Sequence, residues 1–288
     1  MKPAAFQYLR PVAIEDALRQ LARFAPEGKL IAGGQSLAPM MNMRLARPAQ
    51  LIDLNDLTEL AYVKEAGEWL RVGALTRHQR LAASPLVQRH CPLLAQAAQT
   101  IGHYAIRQRG TIGGSLAHAD PAAQLPLVAV TLGARLQLRR QGGERTVDAA
   151  DFFLSAMTTA LAADEMIEWI EFPKARPGEA AAFRLFNRRH GDYALVAAAA
   201  TVECEGGTVQ RLRLGVGGAA AVPQALRALA GTARGRLADD GWVAEVAQAA
   251  ARQVDVDEDA RVPAQYRREL TQVLVGRALG RAVADLRA

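Results

Sequence analysis

The chain has 288 residues, half of them hydrophobic, enough for a substantial core and about two domains. No apolar run of about 18 residues is free of charges and turn formers, so no stretch reads as a membrane span. The net charge of +6 comes mostly from arginines interleaved with acids, and 5% aromatics offer no stacking platform, which argues against a nucleic-acid partner.

The N-terminal residues contain no apolar export region. Ile14, Ala17, Leu18, Leu21 and Ala22 repeat at helical spacing, which predicts a helix over 14–24 that Pro26 and Gly28 end. A short strand at 29–32 runs into the glycine doublet Ala32-Gly33-Gly34-Gln35-Ser36, and a helical turn at 40–44 and a strand at 51–54 follow, a βαβ-like start. Residues 69–72 read as a strand, 76–81 as a helix, and 91–101 as a helix entered through Pro92. A second doublet, Thr111-Ile112-Gly113-Gly114-Ser115, reads as a loop before an apolar helix over 124–132. Strands at 135–139 and 167–172 flank Asp151-Phe152-Phe153, and residues 173–179, with two prolines and a glycine, read as a linker. Two antiparallel strands, 193–203 and 209–216, turn at Gly206-Gly207, and helices are expected at 226–229, 243–251 and 267–286.

The two doublets carry the chemistry. Glycine lets a backbone approach a ligand and take positive φ, and a hydroxyl residue adds a short donor, which suits N–H groups facing phosphate oxygens. Two such segments of matching composition point to one ligand with adjacent phosphates. Neither has the G-x-G-x-x-G dinucleotide form, and Gly215-Val216-Gly217-Gly218 matches it only superficially. No Walker loop, H-E-x-x-H or G-x-S-x-G occurs. Cys91 and Cys204 form no metal-spaced cluster and read as reduced thiols of a cytoplasmic protein. His118 reads as a loop residue, and Asp120-Pro121 as a turn in which the carboxylate sits beside a phosphate-type loop.

The runs Ile31-Ala32-Gly33-Gly34-Gln35-Ser36-Leu37, Ile106-Arg107-Gln108-Arg109-Gly110-Thr111-Ile112-Gly113-Gly114-Ser115-Leu116-Ala117-His118-Ala119-Asp120-Pro121, Gly191-Asp192-Tyr193-Ala194 and Tyr266-Arg267-Arg268-Glu269-Leu270 together resemble the FAD-binding medium subunit of molybdenum hydroxylases. That family includes carbon monoxide dehydrogenase, quinoline oxidoreductase and xanthine dehydrogenase. The resemblance implies an α+β fold of the vanillyl-alcohol-oxidase type. Two α/β subdomains, 1–57 and 58–175, would clasp FAD, ahead of a 176–288 domain with a three-stranded antiparallel sheet and a helical bundle.

It further implies that Ala32, Gly33, Gly34, Gln35 and Ser36, with Thr111, Ile112, Gly113, Gly114 and Ser115, hold the FAD pyrophosphate, with Asp120 beside them. Gln124 stands where relatives usually have an acid, so a charge-assisted bond becomes a neutral amide bond. Ile167 is expected at a backbone or apolar flavin contact or in a strand core. Arg184 or Leu185 stands near a lysine of relatives. Tyr193 resembles a tyrosine lying against the flavin ring, with Asp192 alongside.

The resemblance also implies a small [2Fe-2S] subunit and a large molybdopterin subunit as partners, in a dimer of heterotrimers. Substrate hydroxylation would occur in the large subunit, and no catalytic acid or base is expected here. Two lone cysteines cannot ligate a cluster within this chain. Two other readings are a free-standing flavin oxidase or dehydrogenase drawing on His103, Tyr104 or His118, and a non-catalytic nucleotide-binding assembly module.

Overall fold

The computed structural model describes residues 2–259 and 262–287. Its first unit alternates strand and helix: β1 (Gln7–Leu9), α1 (Ile14–Phe24), β2 (Gly28–Ile31), α2 (Leu37–Asn42) and β3 (Gln50–Asp53). The strands form a parallel sheet in the order β1-β3-β2, the arrangement that βαβ connections produce. Ala17, Leu18 and Leu21 of α1 are buried with Ile52 of β3, so the helical stripe read from the sequence is the face that covers the sheet.

The second unit begins with β4 (Val63–Ala66) and β5 (Trp69–Gly73). Five helices follow: α3 (His78–Ala83), α4 (Pro85–His90), α5 (Pro92–Gln99), α6 (Tyr104–Arg109) and α7 (Ile112–His118). Next come α8 (Gln124–Leu132), β6 (Arg135–Arg140), β7 (Gly143–Asp148) and α9 (Ala149–Phe152). A two-stranded ribbon of β8 (Phe153–Ser155) and β9 (Thr158–Thr159) precedes β10 (Met166–Pro173). An antiparallel sheet forms in the order β4-β5-β10-β6-β7. Every residue of α8 is buried, which explains why its sequence is apolar all round rather than on one stripe.

The third unit is β11 (Glu179–Phe186), β12 (Val196–Glu205), β13 (Thr208–Gly217) and β14 (Gln224–Ala225), then α10 (Arg227–Ala233), α11 (Asp240–Gln253) and α12 (Ala264–Arg287). Its sheet holds the three long strands expected plus β14, a two-residue edge strand that pairs with β13. The alternation of β12 divides its alanines between two cores. Ala197 and Ala199 pack with the second unit, while Ala198 and Ala200 pack with the C-terminal helices.

Gly215 and Gly217 are explained by that packing. A Cβ on Gly215 would lie 1.9 Å from Thr131 Oγ1, and one on Gly217 would lie 3.2 Å from Leu127 Cδ2. The pair of glycines lets α8 rest on β13 and has no dinucleotide role.

Candidate functional site

Strand β2 ends at Ile31, and the first glycine segment leaves from its C-terminal end, where open α/β sheets place their ligand crevices. Gly34 has φ +70°, a left-handed backbone that glycine adopts without strain. The backbone N–H groups of Gly33, Gly34, Gln35 and Ser36 donate to no acceptor among the described residues. A cluster of amides open at a strand end is an anion cradle in waiting.

The two glycine segments meet. A Cβ on Gly33 would sit 2.3 Å from the Arg109 carbonyl oxygen and 2.8 Å from Gly110 Cα, so the segments touch backbone to backbone. Residues that sequence reasoning missed clamp them. Arg77 donates from Nη1 to the Arg109 carbonyl and from Nη2 to Asn55 Oδ1, the latter at 2.6 Å. Asn55 Nδ2 donates to the Ala32 carbonyl at 2.9 Å and to Asp53, which also accepts from the Tyr8 hydroxyl. The signal for Asp53 and Asn55 is their place at the end of strand β3, beside the end of β2, whereas Tyr8 lies in β1 and Arg77 just before α3.

The second segment departs from expectation. It is the start of helix α7, with Thr111 as N-cap, its hydroxyl accepting from the Gly114 N–H at 3.2 Å. The Ile112, Gly113 and Ser115 amides donate to the carbonyls of Thr76, Ala74 and Thr111. Of residues 111–115, only the Thr111 N–H lacks an acceptor among the described residues. A Cβ on Gly113 would lie 2.6 Å from Ala74 Cβ, and the Ile112 side chain is fully buried. Ile112 and Gly113 are therefore fixed by packing and are not a second open cradle. Gly114 is exposed and Ser115 half-buried at the mouth.

His78 anchors this corner. Its Nε2 lies 3.0 Å from the Thr111 carbonyl, its backbone N–H donates to the Gly110 carbonyl, and a Cβ on Gly110 would strike its ring. Burial drives its pKa down to about 4, so near neutral pH the imidazole is uncharged and donates from Nε2.

Beyond α7 the chain turns at Ala119, with φ +51°, and Asp120 Oδ1 accepts from the Ala122 N–H at 2.8 Å. Tyr193 reaches the same place from the third unit. Its ring is 59% exposed, yet partial burial and the Asp120 charge raise its phenol above the ordinary range, while the Ser36 hydroxyl against it acts the other way. Ser36, Asp120 and Tyr193 thus share one cleft. Gln124, 5% exposed at the first turn of α8, donates at 3.4 Å to the Thr100 carbonyl. His103 lies against Gly191 and the ring of His190, tying 187–193 to the start of α6.

Two expected residues stand apart. Ile167 is buried in β10 opposite Leu138 and belongs to the core, with the next residue, Glu168, accepting from the Ala74 N–H. Arg184 pairs with Ala198, so it projects to the sheet face that the C-terminal helices cover and is not brought to the cleft; Leu185 packs toward the second unit. Strand alternation is the reason.

Among the described residues no group of His, Cys, Asp and Glu has the makings of a metal site, and no helix is long and apolar enough to cross a membrane. Burial lifts the Cys91 thiol to about 12, which makes it an inert core residue.

Open amides at a strand end, a close-packed glycine contact and an aromatic ring over the same cleft define a protein that binds a phosphate-bearing cofactor. Comparison with known proteins makes the class specific. Residues 4–175 match the FAD-binding domain in molybdopterin dehydrogenase, and residues 181–282 match the CO dehydrogenase flavoprotein C-terminal domain. The 6-hydroxypseudooxynicotine dehydrogenase complex subunit alpha of Paenarthrobacter nicotinovorans is 37% identical over 98% of this chain and 96% of its own. The carbon monoxide dehydrogenase medium chain of Hydrogenophaga pseudoflava is 36% identical over 98% of each chain. The crystal structure of quinoline 2-oxidoreductase from Pseudomonas putida 86 superposes with TM-score 0.95 at 33% identity, covering 100% of both chains. The chain belongs to the FAD-binding molybdopterin dehydrogenase family and is an oxidoreductase subunit that binds FAD.

Proposed function

We propose that this chain is the electron-transfer subunit of a heteromeric molybdenum hydroxylase, working with a small [2Fe-2S] subunit and a large molybdopterin subunit in a dimer of heterotrimers. The observation that carries the reading is the set of open N–H groups at residues 33–36, with Gly33 packed on the Arg109 carbonyl, within two family matches that together span nearly the whole chain. Bound FAD supplies redox chemistry that accepts electrons from an iron–sulfur donor and releases them to a second acceptor.

The protein's own part is binding and orientation. The amides of Gly33, Gly34, Gln35 and Ser36 fit the pyrophosphate, and Ala32 fixes the entry of the segment through its carbonyl bond to Asn55. Thr111, through its open N–H, and Ser115, through its hydroxyl, complete the cradle, while Ile112, Gly113 and Gly114 shape it. Tyr193 gives the ring an aromatic wall, and Asp120 orders the turn beneath it. Gln124 ties the start of α8 to Thr100, and Ile167 supports the core of the second unit. Arg184 has no place in this site. The two free cysteines, Cys91 and Cys204, support a cytoplasmic location.

The test is purification of the complex with its partner chains, followed by an absorbance spectrum and elemental analysis. Flavin and iron–sulfur bands with stoichiometric molybdenum support the reading. Flavin alone, with turnover of an organic substrate by this chain, overturns it.

A further inference from the structure

At the opposite end of α8 from Gln124 lies a cavity of about 670 Å³, bounded by the last turn of α8, the 173–177 connection, β13 and the start of α10. Its volume lies within the range of small-molecule sites. Five cations line it, Lys174, Arg176, Arg211, Arg213 and Arg227, against the single carboxylate of Glu68. Acids behind the wall answer three of them. Lys174 meets Glu65 at 2.6 Å, whereas Arg176 to Glu203 and Arg213 to Glu179 are loose contacts of 3.7 and 3.8 Å. The side chains of Arg211 and Arg227 make no hydrogen bond or ion pair among the described residues, although the Arg211 charge also acts on Glu179.

The pairs are also incompletely satisfied. Arg213 Nη1, Glu179 Oε2 and Glu203 Oε2 are buried without a hydrogen-bond partner. Only the Arg213 guanidinium lines the cavity, and its buried Nη1 is a donor that an anion's oxygen would satisfy. Trp69, Leu132 and Leu226 add apolar wall beside the cations.

We propose that this cavity is a second ligand site, separate from the FAD cleft, that takes a small organic anion with its head on Arg211, Arg213 and Arg227 and its apolar body against Trp69 and Leu226. Planar guanidinium groups serve carboxylate and phosphate heads alike, so the class is an organic carboxylate or phosphate monoester.

Isothermal titration of the full chain, purified with its FAD, tests this with benzoate, phenyl phosphate and neutral benzyl alcohol. Saturable binding of one or both anions is expected, with benzyl alcohol inert; the anion that binds tells which head the site takes. The variant Arg227→Gln, on an exposed residue, and the double variant with Arg211→Gln should weaken binding by about tenfold or more at unchanged flavin content. The proposal is overturned if neither anion binds by about 10 mM, if the alcohol binds as well, or if the variants bind like the parent. It is equally overturned if binding to the free chain vanishes in the assembled complex, which would assign the cavity to an acidic segment of a partner.

Discussion

Gly33→Ala tests the contact on which the cofactor cradle rests. The added methyl would lie 2.3 Å from the Arg109 carbonyl oxygen and 2.8 Å from its carbon, where ordinary contact begins at 3.4 Å. Both neighbours are backbone, and Arg77 clamps that carbonyl, so no flexible side chain can yield. The two segments must part by about 1 Å, an overpacking cost of roughly 1–3 kcal/mol. The larger effect falls on FAD. Displacing one or two amide–phosphate bonds, at roughly 1.5–3 kcal/mol each, weakens binding about ten- to a hundredfold or more.

The assay is the flavin-to-protein ratio after gel filtration, together with FAD titration of the apoprotein followed by fluorescence. Gly67→Ala is the control. It meets no atom within 4 Å and, unlike Gly33, has a positive φ of 60°, so it carries backbone strain of about 1 kcal/mol and should keep its flavin. A Gly33→Ala protein that retains stoichiometric FAD at parental affinity would refute the reasoning.

Two further predictions follow from the same site. Tyr193→Phe should keep FAD at parental affinity, because the ring supplies the wall, whereas Tyr193→Ala should weaken it by roughly tenfold, the worth of an aromatic contact; equal affinities in titration would dismiss the ring as a flavin contact. His78 has a folded pKa of about 4 against 6.5 unfolded, so below pH 6.5 the unfolded chain binds the extra proton and folding stability falls until about pH 4. That difference amounts to roughly 3 kcal/mol, and thermal melts across this window should be flatter for His78→Gln than for the parent.

The sequence exposes elements wherever the pattern is local. The apolar repeat of α1 and the unbroken apolar run of α8 appear with the boundaries the structure gives them, 14–24 and 124–132. Strands β1, β4, β7 and β11 escape notice because they are short, solvent-facing or alanine-rich, and their pairing partners supply the reason for a strand. The second glycine segment reads as a loop because Gly-Gly-Ser has low helix propensity; the Thr111 cap and the close packing on Ala74 override it.

The site divides along the same line. A pair of glycine segments gripping one cofactor is visible in residue type alone. Which amides stay open is not, since the carbonyls of Ala74 and Thr76 that occupy the second set lie far upstream. The face on which Arg184 falls depends on the register with β12, which no local pattern reveals.

Strand β12 has a consequence for how this protein can be divided. A single layer of methyl groups serves the flavin-binding half on one side and the helical tail on the other. Severing the chain near Gly178 would bare the flanks of α5 and α8 to water, so neither fragment keeps its own lining. Exchanging the tail with that of a relative would therefore require rematching two surfaces at once, and a bulkier side chain at Ala198 or Ala199 would push apart halves that no loop adjustment could bring back together.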